Sequence, residues 1–352
     1  YPYFMKKSLA FLSAVVLLTA CNRNEDYTPK GDYENGFFIL NEGYFGQNNG
    51  SLDYVSYGFS NTEEKVYQKV NSEALGDTPQ SSYRNGDDLY IVVNNSNKLV
   101  KVNRYTMKKQ AEVTTGLKNP RYMTVVNGKL YITNWGEGLD NTDDYILVLD
   151  AATLKEIAKI PVDYGVEKIF SFQNKIYALL QGGWSKNNKL AVINPSSNVV
   201  EKYYTIGYNP NGYLVEDNKV LITCKGDGFY DASANWAYTS TVDGSIWTLT
   251  ASGVEKTYDW AQTSDKKESI QEIVKVNQSY FFLVDGKLHK AAVGSDLTKS
   301  TQVSETSFYR LSKLDEVFAV GLDGRNAKAL FFNEAGLQKT ISTGIYPNSV
   351  VE

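Results

Sequence analysis

The sequence predicts an all-β fold, a seven-bladed β-propeller. Three observations lead to this prediction. Six stretches of the chain repeat one loop–strand–turn–strand pattern, the pattern recurs at steps of 37 to 60 residues, and segments near both termini match the parts of a seventh copy. The 352 residues are long for one domain, but single all-β domains of this length are common.

The repeat is clearest in NPRYMTVVNGKLYITNWG (119–136), GVEKIFSFQNKIYALLQGG (165–183) and NPNGYLVEDNKVLITCKG (209–226), with fainter copies at 78–95, 268–286 and 306–324. Each copy holds two apolar strands around a tight polar turn, and two further strands follow it. Four strands, A to D, in about 40–45 residues are typical of a propeller blade. The longest step, 60 residues, comes from an insertion in the fourth copy.

The seventh blade is predicted to be split between the two ends of the sequence. YPNSVVE (346–352) matches the loop and strand A of a copy, while 36–43, 51–59 and 64–71 supply its strands B, C and D. Pairing of strand A with the N-terminal strands would close the ring. Closure leaves only short, protected strand edges, which satisfies the backbone groups of both terminal segments.

The N-terminal segment is predicted to be a lipoprotein signal. Met5 is interpreted as the true start, with 1–4 upstream of it. Two lysines precede an apolar run that is too short to span a bilayer, and the run ends in Leu-Thr-Ala-Cys. This resembles a bacterial lipobox, so residues 1–20 are predicted to be removed and Cys21 lipidated.

Residues 21–36 are predicted to be a flexible tether because they are polar and offer little to bury. Residues 37–352 then form the propeller. The acidic pair that follows Cys21 resembles the surface-export signals of outer-membrane lipoproteins. We therefore expect a protein on the outer membrane, exposed at the cell surface and held there by its lipid alone.

Composition excludes several classes of function. The net charge of −4 argues against nucleic acid as a partner. One histidine and two cysteines are too few for a zinc site of the usual kind. A catalytic triad would depend on His289, which follows a turn in an alternating strand and is better interpreted as a strand residue. Cys224 follows apolar residues and is predicted to be an inert core thiol. The sequence therefore predicts a protein that is not an enzyme.

The candidate binding surface is the face that carries the B–C and D–A loops. The B–C loops are long and hold aromatic residues between Gly and Asn, whereas the A–B turns are minimal. Loop aromatics on one face suggest a binding surface, although they could instead cap the blade ends. The predicted ligand-binding residues are Tyr44, Phe45, Asn94, Arg121, Asn134, Trp135, Trp184, Phe229, Tyr230, Trp236 and Tyr238.

The stretch FFILNEGYFGQNNGSLDYVSY (37–57), together with the lipobox and the repeats, resembles the BtuG-like surface lipoproteins within the wider YncE-like propellers. Asn-Glu-Gly-x-Phe-Gly (41–46) is the most specific element. The resemblance implies capture of cobalamin or a related corrinoid and its transfer to a TonB-dependent outer-membrane transporter. The corrinoid would be a transported ligand, and no cofactor is implied.

Alternatives remain open at the level of sequence. A surface module that binds a glycan or another nutrient would also use stacking tryptophans. A propeller lactonase or hydrolase would need metal-binding carboxylates at the channel mouth, where the starts of strand A offer Arg84, Arg121 and Glu167. Asp140–Asp144 is better interpreted as a solvated acidic loop than as a calcium site, because its spacing is not that of an EF-hand.

Overall fold

The computed structural model describes residues 27–262 and 267–352. The predicted signal segment, Cys21 and the first part of the predicted tether lie outside the described residues. Within them, seven antiparallel four-stranded sheets and one two-stranded hairpin make up nearly all the regular structure.

The split blade is formed as predicted, except for its outer strand. It begins with β1 (Gly36–Asn41), β2 (Ser51–Ser56) and β3 (Thr62–Glu63), and α1 (Val66–Asn71) follows. Strand D was predicted at 64–71, but β3 has two residues and α1 occupies most of that segment. The prediction was wrong because Val66, Tyr67 and Val70 follow helical spacing, which lets one helical turn bury Val66 and Tyr67 and pack the partly buried Val70 against the core.

Six blades follow along the chain, and blade four carries an extra hairpin between its strands B and C. Their strands A to D are, in blade one, β4 (Pro79–Asn85), β5 (Asp88–Val93), β6 (Lys98–Asn103) and β7 (Lys109–Val113); in blade two, β8 (Pro120–Val126), β9 (Lys129–Asn134), β10 (Tyr145–Asp150) and β11 (Glu156–Pro161); in blade three, β12 (Val166–Phe172), β13 (Lys175–Leu180), β14 (Lys189–Asn194) and β15 (Val199–Thr205). Blade four has β16 (Pro210–Val215), β17 (Val220–Cys224), the hairpin strands β18 (Phe229–Asp231) and β19 (Ala237–Thr239), then β20 (Ser245–Thr250) and β21 (Gly253–Asp259). Blade five has β22 (Ile270–Val276), β23 (Ser279–Val284), β24 (Lys287–Ala292) and β25 (Thr301–Ser307); blade six has β26 (Arg310–Leu314), β27 (Phe318–Asp323), β28 (Lys328–Asn333) and β29 (Gly336–Ser342); β30 (Pro347–Val351) completes blade seven. Single 3-10 turns lie at Ala232–Ala234, Trp260–Gln262 and Leu297–Lys299.

The ring is closed by β30. It pairs antiparallel with β1, so that Phe38 lies opposite Val351 and Ile39 opposite Val350. Strand A of every blade contacts strand A of the next, including β30 against β4. This confirms the seven-bladed propeller and its closure by the C-terminal strand.

The hydrophobic core lies between neighbouring blades. Tyr131 and Ile146 of blade two, for example, pack in one cluster with Ile176 and Ala178 of blade three. Strand B of each blade is almost wholly buried, because both faces of the sheet are covered by its neighbours. This packing makes the ring a rigid support for the loops.

The propeller begins earlier than the predicted boundary at residue 37. Tyr33 is buried beside Phe38, and its backbone N–H donates to the Tyr105 carbonyl. The guanidinium of Arg104 donates to the carbonyls of Tyr33 (2.9 Å) and Gly36 (2.6 Å). The last residues of the predicted tether are therefore fixed to the ring, because a buried arginine needs their carbonyls as acceptors.

The B–C and D–A loops share one face, here called the loop face. In six blades the residue after strand B donates its backbone N–H to the carbonyl of the residue before strand A. Trp135 donates to Asn119 in blade two, and Lys225 donates to Asn209 in blade four, each at 3.1 Å. These hydrogen bonds fasten the first residue of each B–C loop beside the entrance to the central channel.

Candidate functional site

An aromatic cleft opens on the loop face between blades three, four and five, with a volume of about 540 Å³. The rings of Trp135 and Trp184, from the loops of blades two and three, meet at 6.3 Å in an edge-to-face arrangement. Trp184 also lines the cleft, together with the insertion of blade four. The cleft is lined by Gln181, Gly183, Trp184, Ser185, Asn209, Lys225, Gly228, Phe229, Tyr230, Trp236, Tyr238, Ser269 and Gln271.

The insertion of blade four forms one wall of the cleft. Its two short strands, β18 and β19, pair so that Tyr230 lies opposite Tyr238, with ring centroids 5.2 Å apart. Both of these rings, and that of Trp236 at the hairpin tip, stay more than half exposed. Gly228 leaves no room for a Cβ beside the Tyr238 hydroxyl, so the hairpin folds closely onto its own base. This wall is therefore an ordered hairpin that presents apolar surface to solvent.

Asp227 anchors this hairpin to the ring. Its carboxylate accepts hydrogen bonds from the backbone N–H groups of Thr241 and Val242, both at 2.7 Å, and from the Thr241 hydroxyl. Burial alone would raise the pKa of Asp227, but these hydrogen bonds outweigh it and lower the pKa to about 2. The carboxylate is thus ionised at neutral pH and holds both ends of the insertion together.

Trp135 is held from below by an ion pair. The Arg121 guanidinium makes two hydrogen bonds to the Glu167 carboxylate, at 2.9 and 2.7 Å, and lies 4.0 Å from the Trp135 ring centroid. The Trp135 indole N–H donates to the Val166 carbonyl at 2.7 Å. A planar guanidinium can pair with a carboxylate and stack on an aromatic ring at once. Arg121 therefore positions Trp135, which in turn contacts the exposed Trp184.

Tyr44 and Phe45 lie on the loop face but outside the aromatic cleft. Tyr44 contacts Tyr346 with ring centroids 6.0 Å apart, and Tyr346 contacts Tyr309 at the same separation. Phe45 is the most exposed of the predicted aromatics, at 73%. The structure thus brings six predicted aromatics together in blades two to four and leaves these two as a separate group in blade seven.

Asn94 and Asn134 are enclosed within the fold. The Asn94 side-chain amide donates to the Pro120 carbonyl, which joins blades one and two. The Asn134 side chain is fully buried; it accepts from the Lys118 backbone N–H and donates to the Ile132 carbonyl. Both amides are therefore used inside the propeller and are not available to a ligand.

Lys225 and Gln181 line the cleft but were not predicted as site residues. Both directly follow strand B of their blade, the position that Trp135 holds in blade two. Aligning the copies one residue beyond strand B would have placed them at the rim of the channel. Neither carries an aromatic ring, and the prediction rested on loop aromatics rather than on position in the repeat.

The mouth of the channel carries paired charges from strand A. Besides Arg121 and Glu167, the Lys168 ammonium lies 2.6 Å from the Glu272 carboxylate, while Arg310 is 4.0 Å from the same group. A narrow cavity of about 190 Å³ runs between Lys168, Glu272 and Arg310. These side chains form ion pairs with one another across the channel and make up the channel floor below the loop face.

A second, larger cleft lies between blades five and six, with a volume of about 770 Å³. Its walls are mostly polar and include Arg325, Asn326 and Asp323, and its aromatic members are Phe308, Tyr309 and Tyr346. It adjoins the Tyr44 group. Phe308 is buried in the core and Asp323 accepts hydrogen bonds from Asn326, so neither side chain is open to a ligand.

The remaining candidates have structural partners. His289 lies in strand C of blade five, where its Nδ1 is 3.0 Å from the Ser300 hydroxyl and burial lowers its pKa. Cys224 is fully buried, and burial raises the pKa of its thiol. In the acidic loop, Asp140 accepts from Thr142 whereas Asp144 accepts from the backbone of Gly165. Among residues 27–262 and 267–352, no group of three or more His, Cys, Asp or Glu side chains is arranged to hold a metal ion.

Comparison with protein families gives two matches. A family described as a domain of unknown function (DUF5074) matches residues 35–340, which is nearly the whole ring. A prokaryotic membrane lipoprotein lipid attachment site matches residues 5–22, and Cys21 is the cysteine within it. In the part of the chain that the structure describes, no helix is long and apolar enough to span a bilayer. No curated protein matches the chain.

Solved structures with a similar fold cover almost the whole chain at low sequence identity. A quinonprotein alcohol dehydrogenase-like protein from Bacteroides thetaiotaomicron is 12% identical and has a TM-score of 0.66, with 91% of this chain and 78% of that chain covered. A protein from Lactobacillus plantarum is 14% identical with a TM-score of 0.60, over 90% and 99% of the two chains. Virginiamycin B lyase from Staphylococcus aureus is 12% identical with a TM-score of 0.56, over 77% and 87%. At such identities the likeness concerns the propeller fold alone.

Proposed function

We propose that this chain, which belongs to the DUF5074 family, is a lipid-anchored receptor that binds cobalamin or a related corrinoid on its loop face. The lipid attachment site gives the anchor, and the closed propeller gives a rigid support. The protein captures its ligand outside the cell and passes it to a TonB-dependent barrel transporter in the outer membrane. It binds the corrinoid without chemical turnover.

The aromatic cleft is the observation that carries this proposal. A corrin is broad, nearly flat and fringed with amide groups, so it needs flat apolar surfaces with fixed polar groups at their edges. Trp184 and Trp236 both line the cleft and are 63% and 58% exposed. Gln181 and Gln271, whose side chains carry amides, line the same cleft. One edge of a corrin would enter this cleft, while the rest of the macrocycle contacts the rim of the cleft.

Pre-organisation favours tight binding at this surface. Asp227 holds the hairpin wall, and Arg121 holds Trp135 behind Trp184. Because these supports already exist without ligand, few side chains lose freedom on binding. The open side of the cleft leaves part of a bound corrinoid uncovered, which suits its transfer to a second protein.

Isothermal titration calorimetry with cyanocobalamin tests the proposal. Wild-type protein should bind one equivalent, and the double variant W184A/W236A should lose at least about tenfold in affinity, because aromatic anchors dominate such sites. Y57A is the matched control, since Tyr57 is an exposed tyrosine directly after strand C of blade seven, at the opposite face. Absence of binding by the wild-type protein would refute the proposal.

A glycan-binding module is the second candidate. The exposed rings of Trp184 and Trp236 favour it, since sugars stack on tryptophan faces as flat macrocycles do. A screen of oligosaccharides by the same calorimetry separates the two functions. Binding of an oligosaccharide that is lost in W184A/W236A, with no heat from cyanocobalamin, would favour the glycan.

A further inference from the structure

Lys225 lines the aromatic cleft on the side of the central channel, here called its inner end. It follows the last residue of strand B in blade four, and its backbone N–H is fixed to the Asn209 carbonyl. Its side chain lines the cleft together with the aromatic wall of the hairpin. Within the described parts of the chain, its ammonium forms no hydrogen bond or ion pair. Lys225 is half-buried in a cleft lined largely by aromatic side chains, so its ammonium is available to a partner that enters the cleft.

The charges around Lys225 do not neutralise it. Glu167 is engaged by two hydrogen bonds from Arg121, and Glu272 already pairs with Lys168 at 2.6 Å. Arg310 adds a further positive charge from blade six and meets Glu272 only at 4.0 Å. The Nε of Arg310 is itself buried without an acceptor. The charged groups that act on Lys225 therefore include more cations than free carboxylates.

The pKa of Lys225 agrees with this surplus. Burial lowers this pKa most, and the positive charges of Arg310 and Lys168 lower it further. The negative charges of Glu272 and Glu167 oppose these effects, and the resulting pKa is about 8. A lysine in this state gains strongly from an anionic partner, since the partner restores the charged form.

We propose that Lys225, supported by the charge of Arg310, binds an anionic group of the ligand at the inner end of the aromatic cleft. This inference rests on the proposed function and deepens it: in a corrinoid, the anionic group is the phosphodiester of the nucleotide loop. The aromatic walls then hold the flat part of the ligand while Lys225 selects the complete cobalamin over forms that lack the loop.

Paired corrinoids test this assignment by calorimetry. Cyanocobalamin carries the phosphodiester and dicyanocobinamide lacks it. The variant K225M should weaken cyanocobalamin binding about tenfold or more at pH 7 and change cobinamide binding less than about twofold, whereas K225R should keep both. K219M is the matched control, because Lys219 lies on the opposite face beside Glu216. Equal losses for both corrinoids in K225M, or no loss, would overturn the assignment.

Dependence on pH adds a second readout. The groups that face Lys225 are Lys168 and Glu167 of blade three, Glu272 of blade five and Arg310 of blade six. Wild-type affinity for cyanocobalamin should fall as the pH rises through about 8, and K225R should show no such fall. A fall of the same size in K225R would place the titrating group elsewhere and contradict the assignment.

A measurement without any corrinoid separates this inference from the proposed function. The acetylation rate of Lys225, followed by mass spectrometry, should decrease when millimolar inorganic phosphate is added, while that of Lys219 stays unchanged. This result supports an anion site even if wild-type protein fails to bind cyanocobalamin, in which case only the corrinoid is refuted. Acetylation of Lys225 that ignores phosphate would overturn the anion site itself.

Discussion

The guanidinium of Arg121 stacks on Trp135 at 4.0 Å and pairs with the Glu167 carboxylate by two hydrogen bonds. The channel floor and the loop face are thereby connected through one side chain. Strand A supplies the ion pair, the B–C loop supplies the ring, and Trp184 leans on that ring from the next blade. The ion pair in the propeller therefore sets the orientation of the exposed aromatic surface.

Loss of this support should cost stability. The variant R121M leaves Glu167 buried without its cation, so the free energy of unfolding should fall by about 3 kcal/mol. The double variant R121M/E167Q should recover part of the loss because the buried charge is gone. Urea denaturation measures both values. An unchanged stability of R121M would show that the pair does not hold the loop face.

The two neighbouring tryptophans should differ in their roles. W184A should lower corrinoid affinity about tenfold and change the free energy of unfolding by less than about 0.5 kcal/mol, because Trp184 is largely exposed. W135A should cost about 2 kcal/mol of stability, since that indole packs on Arg121 and bonds to Val166. Calorimetric binding and urea denaturation of the same two variants check this. The reverse pattern would contradict the assignment of a ligand-facing and a supporting ring.

Removing the anchor of the hairpin should loosen one wall of the cleft. In D227A the N–H groups of Thr241 and Val242 lose their acceptor, so cleavage between residues 228 and 242 should become about tenfold faster in limited proteolysis. D217A, on the opposite face, is the control. Corrinoid affinity should fall in D227A alone. Equal protease resistance of D227A and wild type would refute the anchoring role.

Asp144 should make stability depend on pH. Burial raises its pKa to about 7, although hydrogen bonds from Gly165 and Val166 oppose the shift. The unfolded carboxyl ionises near pH 4, so the protonated form is favoured by folding and stability should fall as pH rises from about 4 to about 7. Relative to D144N, wild type should lose stability progressively over this window.

Thermal unfolding at several pH values measures the difference between wild type and D144N. D140N is the control, because Asp140 is exposed in the same loop and its hydrogen bonds to Thr142 lower its pKa instead. Its difference from wild type should stay constant between pH 4 and pH 7. A difference for D144N that is equally constant would show that Asp144 ionises normally in the folded protein.

Closure of the ring by β30 should be essential for a stable monomer. Deleting residues 347–352 exposes the edge of β1 and uncovers Phe38, which packs with Val351. It also removes Asn348, whose amide donates to the Pro79 and Gln80 carbonyls of blade one. We expect a large fall in melting temperature and self-association on size-exclusion chromatography. A deleted form that stays monomeric with unchanged melting would contradict closure.

The fold could be predicted from the sequence because four independent signals coincided in each blade. Alternation, the polar A–B turn, the B–C loop and the period recur together, and the segment 346–352 completes the one copy that lacks strand A. Strand D of the split blade was predicted wrongly. No recurring turn follows residues 64–71, and their apolar residues suit a helical turn as well as a strand.

The site was harder to predict, because residue type does not show the direction of a side chain. Trp184 and Trp236 lie in loops that face solvent. Asn94 follows strand B of blade one and Asn134 ends strand B of blade two, and both side chains turn into the propeller. Lys225 was missed although its position in the repeat is that of Trp135. Only the structure shows that the neighbouring carboxylates are already paired and leave its ammonium without one.

Hydrogen–deuterium exchange with and without cyanocobalamin tests the central claim most directly. If the loop face binds the corrinoid, protection should appear in the B–C loop of blade three around residues 181–185 and in the hairpin at 228–239, and the A–B turns on the other face should not change. Protection confined to the A–B turns, or none with the ligand in excess, would contradict a corrinoid receptor built on the aromatic cleft.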